Sequence, residues 1–163
     1  MEVPFVHKNL DVAGQRFNDM KIATKEVELK QVVATPSGTG LFLGNAQKTF
    51  IIYVDLLMGE QIQFVFSKQT PKRPLTFDFI KYILFGFDIS VQSIVFYDMK
   101  DNVFFARVVC LQKGSPDRLI EMDVRPSDAI LLSLTMQKPI KVDSELWSRL
   151  ADVSDVLKSF KKA

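Results

Sequence analysis

The chain has 163 residues, 47% of them hydrophobic, with only seven Gly and seven Pro, enough to enclose one core and too apolar for disorder. A single cysteine, Cys110, excludes an internal disulfide, and a single histidine, His7, leaves most zinc sites and Ser/His/Asp machinery without their residues. Twenty-one Lys and Arg against nineteen Asp and Glu leave a net charge of +2, which neither demands nor forbids a polyanionic partner.

Residues 1–24 have weak periodicity and read as an arm or a short opening element. Their charges interrupt any signal-peptide core, and no stretch approaches the roughly 18 apolar residues of a membrane span. A cytoplasmic chain that does not cross a membrane is the expectation. From Lys25 three short antiparallel strands are predicted: Val27 to Val33, Leu41 to Leu43 after the turn Pro36-Ser37-Gly38, and Phe50 to Val54. Residues 56–69 are ambiguous. Met58, Ile62, Val65 and Phe66 form a helical stripe, while Gln61 to Phe64 alternates like a strand.

Pro71 and Pro74 enforce an extended connection, after which Thr76 can cap a helix. Phe79, Ile80, Ile83, Leu84 and Phe87 give that helix a broad apolar face, and Asp78 sits in its first turn. Ser93 to Tyr97 and Val103 to Leu111 form a hairpin about the polar turn Asp98 to Asn102, and Arg118 to Val124 adds a strand. Pro126 opens a helix containing Ala129, Ile130, Leu131 and Leu134. A strand fragment from Pro139 to Val142 leads to a last helix, residues 143–163, capped by Asp143 or Ser144. Its stripe Leu146, Leu150, Val153, Leu157, Phe160 must be buried against the sheet or against a second copy. With fourteen Phe in the chain, that stripe motivates a homo-oligomer, a dimer first. The whole predicts a single α+β domain, a mixed and largely antiparallel sheet with helices packed on it.

No glycine-rich phosphate loop occurs, which argues against ATP and dinucleotide enzymes. The remaining materials, carboxylates, arginines and hydroxyls, suit a divalent-cation site acting on phosphate, since Mg2+ or Mn2+ takes oxygen ligands and needs no histidine. The densest candidate is Asp123-x-Arg125-Pro126-Ser127-Asp128, where a strand hands over to a helix N-terminus. The structural alternative is that Ser127 and Asp128 cap the helix while Arg125 pairs with Asp123 or Asp128. Lys72 to Asp78 has the same ingredients and the same alternative. Glu60 is a further acid.

The run Lys72-Arg73-Pro74-Leu75-Thr76-x-Asp78, the hairpin around Asp98 to Arg107, and Asp123-x-Arg125-Pro126-Ser127-Asp128-Ala129-Ile130 followed by Pro139-Ile140-x-Val142 resemble the bifunctional nuclease family. The resemblance spans residues 25–150, with residues 25–142 as the domain proper. It implies an α+β fold, a cytosolic bacterial setting with plant relatives, and cleavage of DNA and RNA. It also implies a helix over Leu57 to Ser67, against the local alternation. The family pattern has Gly and Glu where this chain has Asp55 and Met58, and His where it has Phe77. Asp88 and Gln137 stand at usual glycines.

On this resemblance Asp123, Arg125, Ser127 and Asp128 are the expected catalytic residues and Arg73 and Arg125 the phosphate-binding ones. Glu60, Asp78, Asp123 and Asp128 are the expected ligands of Mg2+ or Mn2+. The rival expectation is a non-catalytic nucleic-acid-binding or assembly module whose Arg-Pro-Ser-Asp corner only stabilises the fold.

Overall fold

The structure is a computed structural model and describes residues 6–9 and 23–160. Along the chain come β1 (Val6–Asn9), β2 (Thr24–Thr35), β3 (Gly38–Gly44), β4 (Thr49–Val54), α1 (Leu56–Phe66), α2 (Thr76–Gly86), β5 (Ile89–Lys100), β6 (Val103–Gln112), β7 (Arg118–Val124), α3 (Pro126–Met136), β8 (Ile140–Asp143), α4 (Ser144–Arg149) and α5 (Ser154–Phe160). The strands form one sheet in the order β1-β7-β6-β5-β8-β2-β3-β4. β5 and β8 run parallel, and the other neighbours are antiparallel. The α+β prediction holds. Of residues 1–24, β1 and the start of β2 are described. The expectation for the rest of that segment lies outside the described residues.

β2 serves two neighbours because it bends. Its first half pairs with β8 and its second with β3, and the register shifts between Leu29 and Gln31, the local kink that an extra residue imposes on a strand. All seven residues of β3 are buried, since both of its faces are covered. Leu41 and Leu43 turn to the main core, while Phe42 meets the Phe160 ring of α5 edge-on, centroids 5.9 Å apart. The β5–β6 turn is Asp101-Asn102, both at positive φ (49° and 62°), the backbone that lets a two-residue turn follow the strand twist.

The sheet curls. β4 is an edge strand four places from β5, which in a flat sheet would be roughly 19 Å away. Yet Phe50 of β4 meets Phe96 of β5 and Phe104 of β6 with ring centroids 6.3 and 5.7 Å apart, and Trp147 of α4 packs edge-on against it at 6.2 Å. Lys48 fixes α4 there, donating to the Trp147 and Leu150 carbonyls and lying over the indole. The curl leaves a seam between β4 and the tip of the β5–β6 hairpin.

The segment expected as one last helix is two short ones. Leu150 is extended (ψ 136°), and the Asp152 carboxylate accepts from the Thr49 and Ser154 amides and the Ser154 hydroxyl. These three hydrogen bonds hold it at a pKa of about 2. The break lets Leu146, Leu150 and Leu157 all be buried in the chain's own interior. α2 likewise starts at Thr76 rather than being capped by it: Asp78 accepts from the Leu75 amide at 2.9 Å.

Of the three positions where the family pattern has glycine, Asp88 and Gln137 are left-handed, each at φ 54°, while Asp55 has φ −65° and caps α1. Gln137 is exposed and ends α3, with the Lys138 amide donating to the Ser133 carbonyl at 3.0 Å, a closure that glycine makes without steric cost. Gln137→Gly should therefore raise the urea midpoint by an amount equivalent to about 1 kcal/mol. An unchanged or lower midpoint would contradict this.

Candidate phosphate site at the start of α3

β7 ends and α3 begins at Arg125, whose backbone is extended (φ −63°, ψ 143°). Pro126 at the first helical position supplies the fixed φ that a helix start needs. Asp128, one turn in, takes a two-point ion pair from Arg125, Nε to Oδ2 at 2.7 Å and Nη2 to Oδ1 at 3.2 Å. The pairing raises the Arg125 pKa above its ordinary value, and Asp55 adds to the rise. No side chain caps α3, so of the structural alternative the capping by Ser127 and Asp128 is absent and the Arg125–Asp128 pair is present. The first-turn amides of Ser127 and Asp128 are left facing outward with the helix dipole behind them.

This corner lines the seam described above, a groove of about 630 Å³. Phe50, Ile52 and Phe104 form its apolar floor. Arg125, Pro126 and Ser127 stand on one side, and Tyr53, Asp55 and Asn102 add polar groups. Asp55 caps α1, its Oδ1 accepting from the Met58 amide at 2.8 Å. Tyr53 is 70% exposed. Sequence reasoning missed Tyr53 and Asn102, because nothing in a strand or a tight turn signals that a distant helix start will face it.

The other expected site residues are dispersed. Asp123 is exposed on β7 and accepts from the Tyr97 hydroxyl at 2.9 Å. The Tyr97 pKa is raised, first by burial and then by that bond. Asp78 caps α2 and lines a separate, larger opening of about 1300 Å³ bounded by β2, α1, α2 and α3. Apart from Asp78 that opening holds no residue of the expected set, so its size does not make it the phosphate site. Glu60 is exposed on α1 and Arg73 is exposed in the connection before α2. Neither lines the groove. Met58 and Phe77, standing where the family pattern has acid and imidazole, are half-buried against the core.

For a metal ion the expected ligands do not fit together. Among the described residues no three of His, Cys, Asp and Glu converge as a ligand set. Glu60, Asp78, Asp123 and Asp128 belong to four different elements or ends of elements, and three of them already serve Leu75, Tyr97 and Arg125. None of the described helices is long and apolar enough to cross a membrane.

A family model described as the bifunctional nuclease domain matches residues 41–154, more than half of the chain. Two uncharacterized proteins of Mycobacterium tuberculosis, from strains CDC 1551 / Oshkosh and ATCC 25618 / H37Rv, are each 30% identical to this chain over 79 residues. That alignment covers 48% of this chain and 44% of each relative, so the chain spans less than half the length of the curated relatives it matches.

Proposed function

The chain belongs to the bifunctional nuclease domain family, and on that premise we propose that it binds nucleic acid, taking a backbone phosphate at the start of α3. The observation that carries this reading is Arg125, a 73% exposed guanidinium beside an uncapped helix start and along a groove. A guanidinium has five N–H donors. Asp128 takes two of them, which orients the fork and leaves three for a phosphate. The Ser127 hydroxyl and the first-turn amides add donors where the helix dipole favours an anion. Tyr53 offers a ring face for a base to stack on. Asp55 and Asp128 keep the corner from being strongly positive, so affinity rests on the combined contacts rather than on charge alone.

The rival reading is phosphodiester cleavage with Mg2+ or Mn2+. It is favoured by the nearness of two carboxylates, Asp55 and Asp128, to Arg125. Its test is cutting of supercoiled DNA and labelled RNA with Mg2+, Mn2+ or EDTA, by the native protein and by Asp128→Ala. Binding is tested beside it with a fluorescent single strand at two salt concentrations. We expect affinity to fall about three- to sevenfold for a fourfold rise in salt, as one or two phosphate contacts dictate, with no metal-dependent cutting. Cutting that EDTA and Asp128→Ala both abolish selects the rival. Absence of salt-sensitive binding overturns both.

A further inference from the structure

We infer that the exposed face of α2 docks against a second copy of this chain. α2 is apolar around most of its circumference, broken only by Thr76, Asp78 and Lys81, a pattern close to that of a buried helix, yet none of its residues is buried. Phe77, Ile80 and Leu84 turn towards the core. The opposite stripe runs through Phe79, Tyr82, Ile83 and Gly86 at intervals of three, one and three residues, with Phe85 beside it. Phe79, Tyr82 and Phe85 are 61%, 57% and 83% exposed.

The area on offer matches what a dimer needs. With Leu75 and Phe87, which are also exposed, the face presents roughly 700 Å², taking about 200 Å² for each whole aromatic side chain. A monomer rarely leaves a contiguous apolar patch of that size uncovered, and a stable interface buries about 800 Å² per partner. The charges select the occupant. The helix carries one cation, Lys81, off the stripe, Asp78 and Asp88 lie at its ends, and Lys72 and Arg73 are exposed only at the entry to it. Cations at one end do not make the basic rim along the whole face that an anionic lipid surface or nucleic acid calls for. A stripe without repelling charges along its middle can meet its own image across a two-fold axis. Space is open in front of Gly86, where an added Cβ would touch nothing within 4 Å, so a second helix can approach closely.

This surface is not the one suggested by the sequence. The stripe expected to pack against the sheet or against a second copy, Leu146 to Phe160, is largely taken up inside the same chain, whereas the α2 face is left over. The test is the solution mass at high micromolar concentration. The native chain should give about twice 18.6 kDa. Phe85→Glu and Phe79→Glu should each raise the dimer dissociation constant at least about tenfold with the far-UV spectrum unchanged, because both side chains are more than half exposed in the single chain. Tyr82→Cys provides a second readout: a short bis-maleimide should link two copies through it, while Cys110, buried and with its thiol pushed up to about 11, stays silent. A mass of one chain for the native protein overturns the inference, as does a dimer that neither glutamate loosens or that Tyr82→Cys does not link.

Discussion

Replacing Gly59 by alanine is expected to cost the fold about 2 kcal/mol, although alanine is the better helix former. Gly59 lies in α1 where the helix crosses β3, and it is buried. A Cβ there would overlap Oγ1 and Cβ of Thr39 and lie 2.8 Å from its Cγ2. Thr39 cannot swing away: it is 2% exposed, and its strand is paired on both sides by β2 and β4. The helix must therefore lift from the sheet, taking Ile62, which is fully buried, out of its place. Propensity favours the change by about 1 kcal/mol, and overpacking of a closed core costs about 1–3 kcal/mol, with lost contacts beyond that. Packing wins. The denaturant midpoint should fall, and one that rises would mean that propensity alone governs and that α1 does not seat on β3 as described.

Arg125→Ala should weaken single-strand binding at least about tenfold and reduce the slope of log affinity against log salt by about 0.7, the share of one phosphate contact on a single strand. Two losses combine. The guanidinium goes, and Asp128 is left without its partner one turn into α3, where its charge opposes an incoming phosphate. Arg125→Lys should recover only part, because a point charge cannot hold Asp128 at two points and still present an oriented fork. Stability should scarcely change, since the side chain is 73% exposed and exposed ion pairs contribute little. Full affinity in Arg125→Ala would remove the corner from the binding surface.

Much of the fold was legible because its signals are local. The polar run Asp98 to Asn102 marks a turn between β-rich runs, which β5 narrows to Asp101-Asn102 by continuing to Lys100, and Pro126 followed by an apolar cluster marks a helix start. α1 was legible only through the family resemblance. Gln61 to Phe64 alternates as a strand would, and the helix is decided by Gly59 and Ile62 meeting β3, a tertiary contact that no window of residues contains. The last helix failed for a related reason. Leu146, Leu150, Val153 and Leu157 have helical spacing, but Thr49, more than a hundred positions earlier, donates its amide to Asp152 and accepts from the Val153 amide, which stops the helix and restarts it.

The candidate site divides along the same line. Arg125, Ser127 and Asp128 could be found from sequence because one strand-to-helix junction holds all three. That Arg125 and Ser127 share a groove with Tyr53 and Asn102 could not. A period of two tells which face of a strand is buried and says nothing of how far a sheet curls, and it is the curl around Phe50 that brings β4 to the hairpin tip. Convergence of Glu60, Asp78, Asp123 and Asp128 was expected from the family resemblance together with their oxygen-donor chemistry. Local geometry gives three of them work as a cap or a partner, and the fold keeps the set apart.

Contact between nucleic acid and the α3 corner is what the proposed function requires. It is tested most directly by titrating a short single strand into the isotopically labelled protein and following amide and guanidinium NMR shifts. The changes should concentrate on the Ser127 and Asp128 amides, Arg125 Nε, Tyr53 and Asn102. Shifts confined to the opening around Leu75 to Asp78, or a saturating titration that leaves the α3 corner unmoved, would contradict it.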